Sequence, residues 1–125
     1  MPGFELWSNL ERKHLNDVVQ SGVLMRYGFD GPRKGIWKSL ELEKAVCDTF
    51  GCKHAQLVSS GTAALTTAMS ALGLGYGDEI ILPAFTFVAS FEAVISVGAV
   101  PVFVDVDETL TLNPEAVKKA ITPKT

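Results

Sequence analysis

The sequence contains no apolar run long enough to cross a membrane. A transmembrane helix requires roughly 18 consecutive apolar residues, and polar or charged side chains interrupt every apolar stretch of this chain before that length. Residues 1–25 carry charges throughout and have no apolar central segment, so they do not resemble a secretory signal. We therefore expect a cytoplasmic protein that has no membrane partner.

The sequence also lacks an excess of positive charge and has few cysteines and histidines. Lys and Arg total 11 against 14 Asp and Glu, which gives a net charge of −3 and no footprint for nucleic acid. Cys47, Cys52, His14 and His54 do not form a recognisable metal-ligand spacing or a nucleophile–base pair. We expect no metal site, and we expect both cysteines to be buried, reduced thiols.

What the chain does contain is an alternation of apolar segments with strand and helix character. After two leading helices over residues 4–21 and 39–50, the pattern predicts strand, helix, strand, helix, strand, helix. The predicted segments are strands at 55–58, 79–82 and 100–104, and helices at 62–74, 86–97 and from the Asn113 cap to Ile121. Such alternation is typical of an α/β fold with a mostly parallel sheet flanked by helices.

The same pattern predicts two parts of the chain. Residues 1–38 comprise the first helix and a segment rich in glycine and aromatic residues, 22–35, which we expect to be an extended arm. Residues 39–125 comprise the α/β part. The chain closes directly after a helix, where an alternating pattern would continue with another strand, so we expect an α/β domain that is truncated.

The turn Ser59–Leu65 is the strongest candidate for a ligand site. It joins a predicted strand to a helix start, where the first backbone N–H groups have no internal partner and the helix dipole favours an anion. Ser60 and Thr62 add hydroxyl groups, while Gly61 and Ala63 keep side-chain bulk away from the backbone. The physical chemistry of this turn predicts a phosphate site.

Two further turns follow predicted strands. Parallel sheets bind ligands at the carboxyl ends of their strands, so Ser59–Ala63, Pro83–Phe87 and Asp105–Asp107 are predicted to line one crevice. The residues alone leave the details open. Phe87 could be a core aromatic at a helix start, and Asp105 and Asp107 are more typical of loop-capping, solvated acids than of a metal or proton-sharing pair.

Four segments of the chain keep the order and spacing of one protein family. They are Ser59-Ser60-Gly61-Thr62-Ala63-Ala64-Leu65, Gly77-Asp78-Glu79-Ile80-Ile81-Leu82-Pro83, Phe85-Thr86-Phe87-Val88-Ala89 and Pro101-Val102-Phe103-Val104-Asp105. Together they resemble the DegT/DnrJ/EryC1/StrS sugar aminotransferases, which are pyridoxal-phosphate (PLP) enzymes of the aspartate-aminotransferase fold. The segments Met1–Leu6 and Leu24–Gly28 resemble a subgroup that includes 8-amino-3,8-dideoxy-octulosonate transaminases.

This resemblance implies a fold, a cofactor and site residues. The chain would be the N-terminal part of a PLP fold-type I large domain. The cofactor phosphate would lie at four consecutive residues, and the cofactor ring would stack on Phe87. Arg26 and Tyr27 would lie on the substrate side, with an interface or packing role as the alternative. The four residues expected to contact the cofactor phosphate are Ser60, Gly61, Thr62 and Ala63.

The resemblance also implies what the chain lacks. None of its lysines stands in the family's Schiff-base motif, so no catalytic residue is assigned, and the lysine and the acid that pairs with the pyridine nitrogen would lie beyond residue 125. The chain alone would be inactive, and the full-length enzyme would be a homodimer.

The implied reaction is amino transfer from a donor, expected to be glutamate, to a keto-sugar that is nucleotide-linked or of octulosonate type. It would serve lipopolysaccharide or other cell-surface polysaccharide synthesis, or secondary-metabolite sugar synthesis. Two alternatives stay open: a sugar dehydratase of the same family, with histidine in place of the lysine, and a short non-catalytic protein that binds a phosphorylated ligand.

Overall fold

The computed structural model describes residues 3–125, which form two compact units that divide between Leu57 and Val58. The first unit contains a 3₁₀ helix at Phe4–Leu6 followed by α1 (Asn9–Ser21), α2 (Asp30–Arg33) and α3 (Lys38–Phe50). The second contains α4 (Gly61–Ala71), β1 (Glu79–Pro83), α5 (Val88–Ser96), β2 (Val100–Val104) and α6 (Pro114–Ala120). The α/β class is confirmed, while the functional division at residue 38 stays a prediction.

Helix α1 has well-defined signals at both ends. The Ser8 hydroxyl accepts a hydrogen bond from the N–H of Leu10 at 3.1 Å, and the Ser8 N–H donates to the Glu11 carboxylate at 2.7 Å, which completes a capping box. Gly22 ends the helix with a φ of 68°, a left-handed conformation that glycine adopts without strain. The predicted helical region 4–21 is therefore two helices, because the extended backbone of Ser8 separates them.

The apolar face of helix α3 is mostly exposed, and a charged residue of the helix is buried. Leu42, Ala45, Val46 and Phe50 share one face at helical spacing, but Leu42, Ala45 and Phe50 are exposed. Glu43 is buried instead. Its carboxylate makes hydrogen bonds that offset the cost of burying a charge, so a polar contact takes the place expected for an apolar one.

The structure corrects two predictions, on the segments 55–58 and 22–35. Residues 55–58 were expected to form a strand, but no strand forms there, since the N–H of Leu57 donates to a carboxylate oxygen of Glu43 at 2.7 Å and not to a neighbouring strand. The segment 22–35 was expected to be an extended arm, but it contains the single-turn helix α2.

The second unit is built on a parallel pair of strands joined by a helix. β1 and β2 pair in register from Glu79 opposite Val100 to Pro83 opposite Val104, so their carboxyl ends lie side by side. Helix α5 connects them, packs against α4 and both strands, and supplies the buried Val94. The core residues are Leu82, Val94 and Ala99, with Met69, Ile80, Phe91 and Val97 packed against them.

The end of the second unit follows the sequence signals closely. The Asn113 side chain accepts hydrogen bonds from the N–H groups of Glu115 (2.9 Å) and Ala116 (3.3 Å), as predicted for the cap of α6. The Glu79 N–H, at the start of β1, donates to the Lys124 carbonyl at 2.8 Å.

Within residues 3–125, none of the helices combines the length and the apolar character that a membrane crossing would need.

The core of the second unit gives a direct stability prediction. Leu82→Ala removes a side chain that is 8% exposed and leaves a cavity between β1 and α5, which typically costs about 2–5 kcal/mol. Leu72→Ala is the matched control, because Leu72 is 76% exposed. Urea unfolding of the gene product should show a lower midpoint for Leu82→Ala alone, and equal midpoints for the two variants would contradict the assigned core.

The buried carboxylate gives a pH-dependent prediction. The Leu57 N–H and the Arg26 guanidinium lower the pKa of Glu43 below its ordinary value of 4.5. The resulting stabilisation is fully present above that value and is lost as the pH falls through the folded-state pKa. Glu43→Gln should therefore unfold at lower urea than the parent at pH 7, and the difference should shrink below about pH 4.5.

The exposed Glu92 on α5 provides the control. Glu92→Gln should leave the unfolding midpoint at pH 7 close to that of the parent. A Glu43→Gln deficit that is the same at pH 7 and pH 3 would show that the carboxylate charge is not what stabilises the first unit.

Candidate cofactor-binding site

The start of α4 presents backbone N–H groups that no protein group uses. Ser60 is the N-cap: its hydroxyl accepts from the Ala63 N–H at 3.0 Å, and its carbonyl accepts from the Ala64 N–H at 2.9 Å. Within residues 3–125, the N–H groups of Gly61 and Thr62 have no hydrogen-bond partner. Two of the donors that open α4 are therefore available to an external acceptor.

The charge and shape of this turn suit an anion. The first turn of α4 contains no acidic residue, so nothing within it offsets the positive end of the helix dipole. A Cβ atom built at Gly61 would meet no atom within 4 Å. Packing inside the chain thus gives no reason for glycine at this position, whereas the close approach of an anion to the backbone does.

Phe87 lies at the start of α5, where its backbone is extended as the N-cap residue. Its side chain is 77% exposed, so it is not the core aromatic that the residues alone allowed. The neighbouring Thr86 and Ser90 hydroxyls lie 3.1 Å apart and close the first turn of the helix. The ring is available to stack on a flat ligand.

Two of the three predicted turns, Pro83–Phe87 and Asp105–Asp107, lie together at the carboxyl ends of β1 and β2. The Ala84 N–H donates to the Val104 carbonyl at 2.8 Å, which joins the turn after β1 to the end of β2. The third turn, Ser59–Ala63, begins α4, which packs against α5. Because residues 55–58 form no strand, this third turn does not follow a strand end as predicted.

The Asp107 carboxylate, after β2, has a local role. One carboxylate oxygen of Asp107 accepts from both the N–H (2.8 Å) and the hydroxyl (2.6 Å) of Thr109, and these bonds lower the pKa of Asp107. The Asp105 carbonyl accepts from the Asn113 N–H at 3.1 Å. The Asp107 carboxylate therefore has the loop-capping role that the sequence favoured, whereas the bond at Asp105 is made by its main chain. The described residues include no group of three or more potential metal ligands.

Arg26 and Tyr27 belong to the first unit, where Arg26 already has a charged partner. Its Nη2 atom donates to both carboxylate oxygens of Glu43, at 2.6 and 2.8 Å, and its Cζ atom lies 5.7 Å from the centre of the Tyr27 ring. The bond to Glu43 raises the pKa of Arg26. Tyr27 itself is exposed.

Sequence reasoning missed Glu43, which holds Arg26 in place. The only signal was a carboxylate three residues before Val46, on a side of α3 that apolar residues were expected to occupy.

The prediction that both cysteines are buried is wrong. Both are free, but Cys47 is only half-buried and Cys52 is exposed, because the helix ends at Gly51 before Cys52 is reached. Partial burial raises the pKa of the Cys47 thiol.

The chain resembles proteins of known activity along most of its length. It is 46% identical over 114 residues to an L-glutamine:2-deoxy-scyllo-inosose aminotransferase of Streptomyces kanamyceticus, a match that covers 89% of this chain and 26% of that protein. It superposes on the structure of a 3-amino-5-hydroxybenzoic acid synthase with a TM-score of 0.85 and 38% identity, covering 98% of this chain and 30% of that one.

A third protein shares the fold but is named as a dehydratase. A GDP-4-keto-6-deoxymannose-3-dehydratase, trapped with a PLP–glutamate geminal diamine, matches with a TM-score of 0.78 and 31% identity over 95% of this chain and 30% of its own. In each of the three comparisons, the chain spans less than a third of the relative's length. Residues 8–125 match the profile of one family. The chain belongs to the DegT/DnrJ/EryC1/StrS aminotransferase family.

Proposed function

We propose that the protein transfers an amino group to a keto-sugar with PLP as its cofactor. The observation that carries this proposal is the pair of unpartnered N–H groups at Gly61 and Thr62, which open a helix in the same unit as the exposed Phe87 ring. A phosphate-bearing cofactor with a flat ring needs both an anion site and a stacking surface. Membership of an aminotransferase family supports the choice of PLP as that cofactor.

The start of α4 would bind the cofactor phosphate. The N–H groups of Gly61 and Thr62 would donate to phosphate oxygens, and the hydroxyls of Ser60 and Thr62 lie on the same turn to add further donors. The bond from Ala63 to Ser60 holds the turn in its capped geometry before the anion arrives. Donors that are already oriented bind an anion with little ordering cost.

Phe87 would hold the cofactor ring. An aromatic ring stacked on a flat partner contributes about 0.5–1.5 kcal/mol beyond the burial of its surface, and Phe87 follows the end of β1 as the N-cap residue of α5. When bound, PLP supplies the electron sink that lets protons move at the carbon bearing the amino group. No residue of this chain is assigned a catalytic role.

The names of the relatives support a proposal for the classes of amino donor and acceptor. One relative is named for glutamine as donor and a keto-inositol as acceptor, and another was trapped with glutamate. We propose glutamate as the donor and a nucleotide-linked or octulosonate-type keto-sugar as the acceptor, with Arg26 and Tyr27 on the substrate side. A cytoplasmic homodimer that acts in cell-surface polysaccharide or secondary-metabolite sugar synthesis completes the proposal.

A sugar dehydratase is the second candidate. The similarity to GDP-4-keto-6-deoxymannose-3-dehydratase favours it, because that enzyme shares the fold and is named with PLP. In the dehydratase branch a histidine replaces the Schiff-base lysine, so the residue at that position of the gene product separates the two candidates. A non-catalytic protein that binds a phosphorylated ligand would have neither residue.

Thr62→Val tests the phosphate site, because it removes the hydroxyl and keeps the side-chain shape and the backbone N–H. A hydrogen bond to a charged group contributes about 1.5–3 kcal/mol, so the Kd for PLP should rise about tenfold or more. Thr67→Val, an exposed position further along α4, is the control. Equilibrium dialysis of the gene product with PLP measures both, and equal retention in the two variants would contradict the assignment.

Phe87→Leu tests the stacking surface in the same dialysis experiment. The loss of an aromatic partner should raise the Kd for PLP about two- to tenfold. Phe50→Leu is the matched control, since Phe50 is also 77% exposed but lies at the end of α3. If Phe87→Leu binds PLP as tightly as Phe50→Leu does, the ring does not contact the cofactor.

A further inference from the structure

A second candidate site lies in the first unit, around Arg33. This residue ends the short helix α2 and is only 5% exposed. Its Nε atom donates to the Gly28 carbonyl at 2.8 Å, and its guanidinium lies over the Trp37 ring, with Cζ 4.1 Å from the ring centre. The two contacts fix the plane and the position of the guanidinium.

The charge of Arg33 has no acidic partner among residues 3–125. No carboxylate oxygen in that range lies within 4.0 Å of it, and its Nη2 atom is buried without a hydrogen-bond acceptor. A buried charge without a counter-charge is costly, and buried charges in proteins are as a rule paired. Stacking on Trp37 offsets part of that cost but does not neutralise the charge.

Arg33 lines a cavity of about 270 Å³. Arg26 and Lys38 also line it, and no Asp or Glu is among its lining residues within the described chain. The charges of Lys38 and Arg26 are both paired outside the cavity lining, Lys38 with Asp17 and Glu41 and Arg26 with Glu43, so Arg33 is the basic lining residue without a carboxylate partner among residues 3–125. The Nε atom of Arg26, however, is buried without a partner, as is Nη2 of Arg33. Each of these two guanidinium groups lines the cavity and contains one buried donor without a partner.

We propose that this cavity binds a small ligand through a carboxylate or phosphoryl group, with Arg33 as the principal anion-binding residue. A guanidinium presents donors in a planar fork that matches either oxyanion. The Trp37 and Tyr27 rings supply apolar surface for the rest of the ligand. The volume of about 270 Å³ lies just below the roughly 300–1,000 Å³ of drug-sized pockets, which is room for a group of monosaccharide size.

The inference concerns a site in the first unit and does not depend on cofactor chemistry. It rests on the proposed function only where it names the carrier of the anion, which would be the keto-sugar substrate. A carboxylate or phosphoryl group held at Arg33 would then distinguish an acidic or phosphorylated keto-sugar from a neutral one. The test uses protein without PLP, so that its failure is separate from a failure of the PLP assignment.

The experiment measures the melting temperature and the Kd of the PLP-free gene product with three probes: gluconate, glucose 6-phosphate and glucose. Gluconate or glucose 6-phosphate should raise the melting temperature with saturation, and the one that does so identifies carboxylate or phosphoryl recognition. Glucose should not. Arg33→Met should abolish the response, which corresponds to at least a tenfold weaker Kd, and Arg12→Met, at an exposed arginine of α1, should retain it.

The unfolding temperature of Arg33→Met without any probe is a second readout. Without any probe, Arg33→Met should unfold at the same temperature as the parent or higher, because an apolar side chain of similar length carries no desolvation cost. A residue that only packs on Trp37 would instead leave the probe response intact in the variant.

Three results would overturn the proposal: no response to either anion, an equal response to glucose, or a full response in Arg33→Met. If Arg33→Met does not fold, Arg33→Lys decides, because it keeps the charge and loses the planar fork. It should bind the active probe several-fold more weakly than the parent, and unchanged binding would count against the site.

Discussion

The parallel pairing of β1 with β2 is the constraint on which the second unit depends. Parallel neighbours cannot be joined by a tight turn, so the chain crosses back through a helix, and here that helix is α5. The crossing buries Val94 against Leu82 and Ala99 and sets where α5 begins. Phe87 is the cap residue of that helix, so the strand register and the exposed ring are consequences of one connection.

The first unit depends on buried charge more than on apolar packing. The Glu43 carboxylate on α3 accepts hydrogen bonds from the Leu57 N–H at 2.7 Å and from Nη2 of Arg26 at 2.6 Å. Arg33 is just as deeply buried and has only a carbonyl and an aromatic face as partners. A paired and an unpaired buried charge in one unit have different physical meanings. The paired charge organises the fold, whereas the unpaired one indicates a ligand.

The sequence predicted elements well where the signal was local. The cap at Asn113 and the end of the helix at residue 50 depend on short-range chemistry, and the strands 79–82 and 100–104 have a clear apolar composition. The structure has each of them within a residue or two. The family resemblance also came from local motifs, and the family match over residues 8–125 confirms it.

What the sequence did not predict depends on contacts between distant residues. Residues 55–58 have strand-like composition, but a strand needs a paired neighbour, and Leu57 bonds to Glu43 instead. The burial of Glu43 and Arg33 could not be read from helical periodicity, because a carboxylate or guanidinium on an inner face is compatible with the pattern only once its partners are known. The phosphate and ring roles of Thr62 and Phe87 stay predictions.

The central claim is that the start of α4 and the Phe87 ring together bind PLP. A crystal structure of the gene product with PLP tests it most directly. If the claim is correct, phosphate oxygens lie within about 2.7–3.2 Å of the backbone nitrogens of Gly61 and Thr62, and the pyridine ring stacks on Phe87. A phosphate bound elsewhere, with those two N–H groups facing solvent, would contradict it.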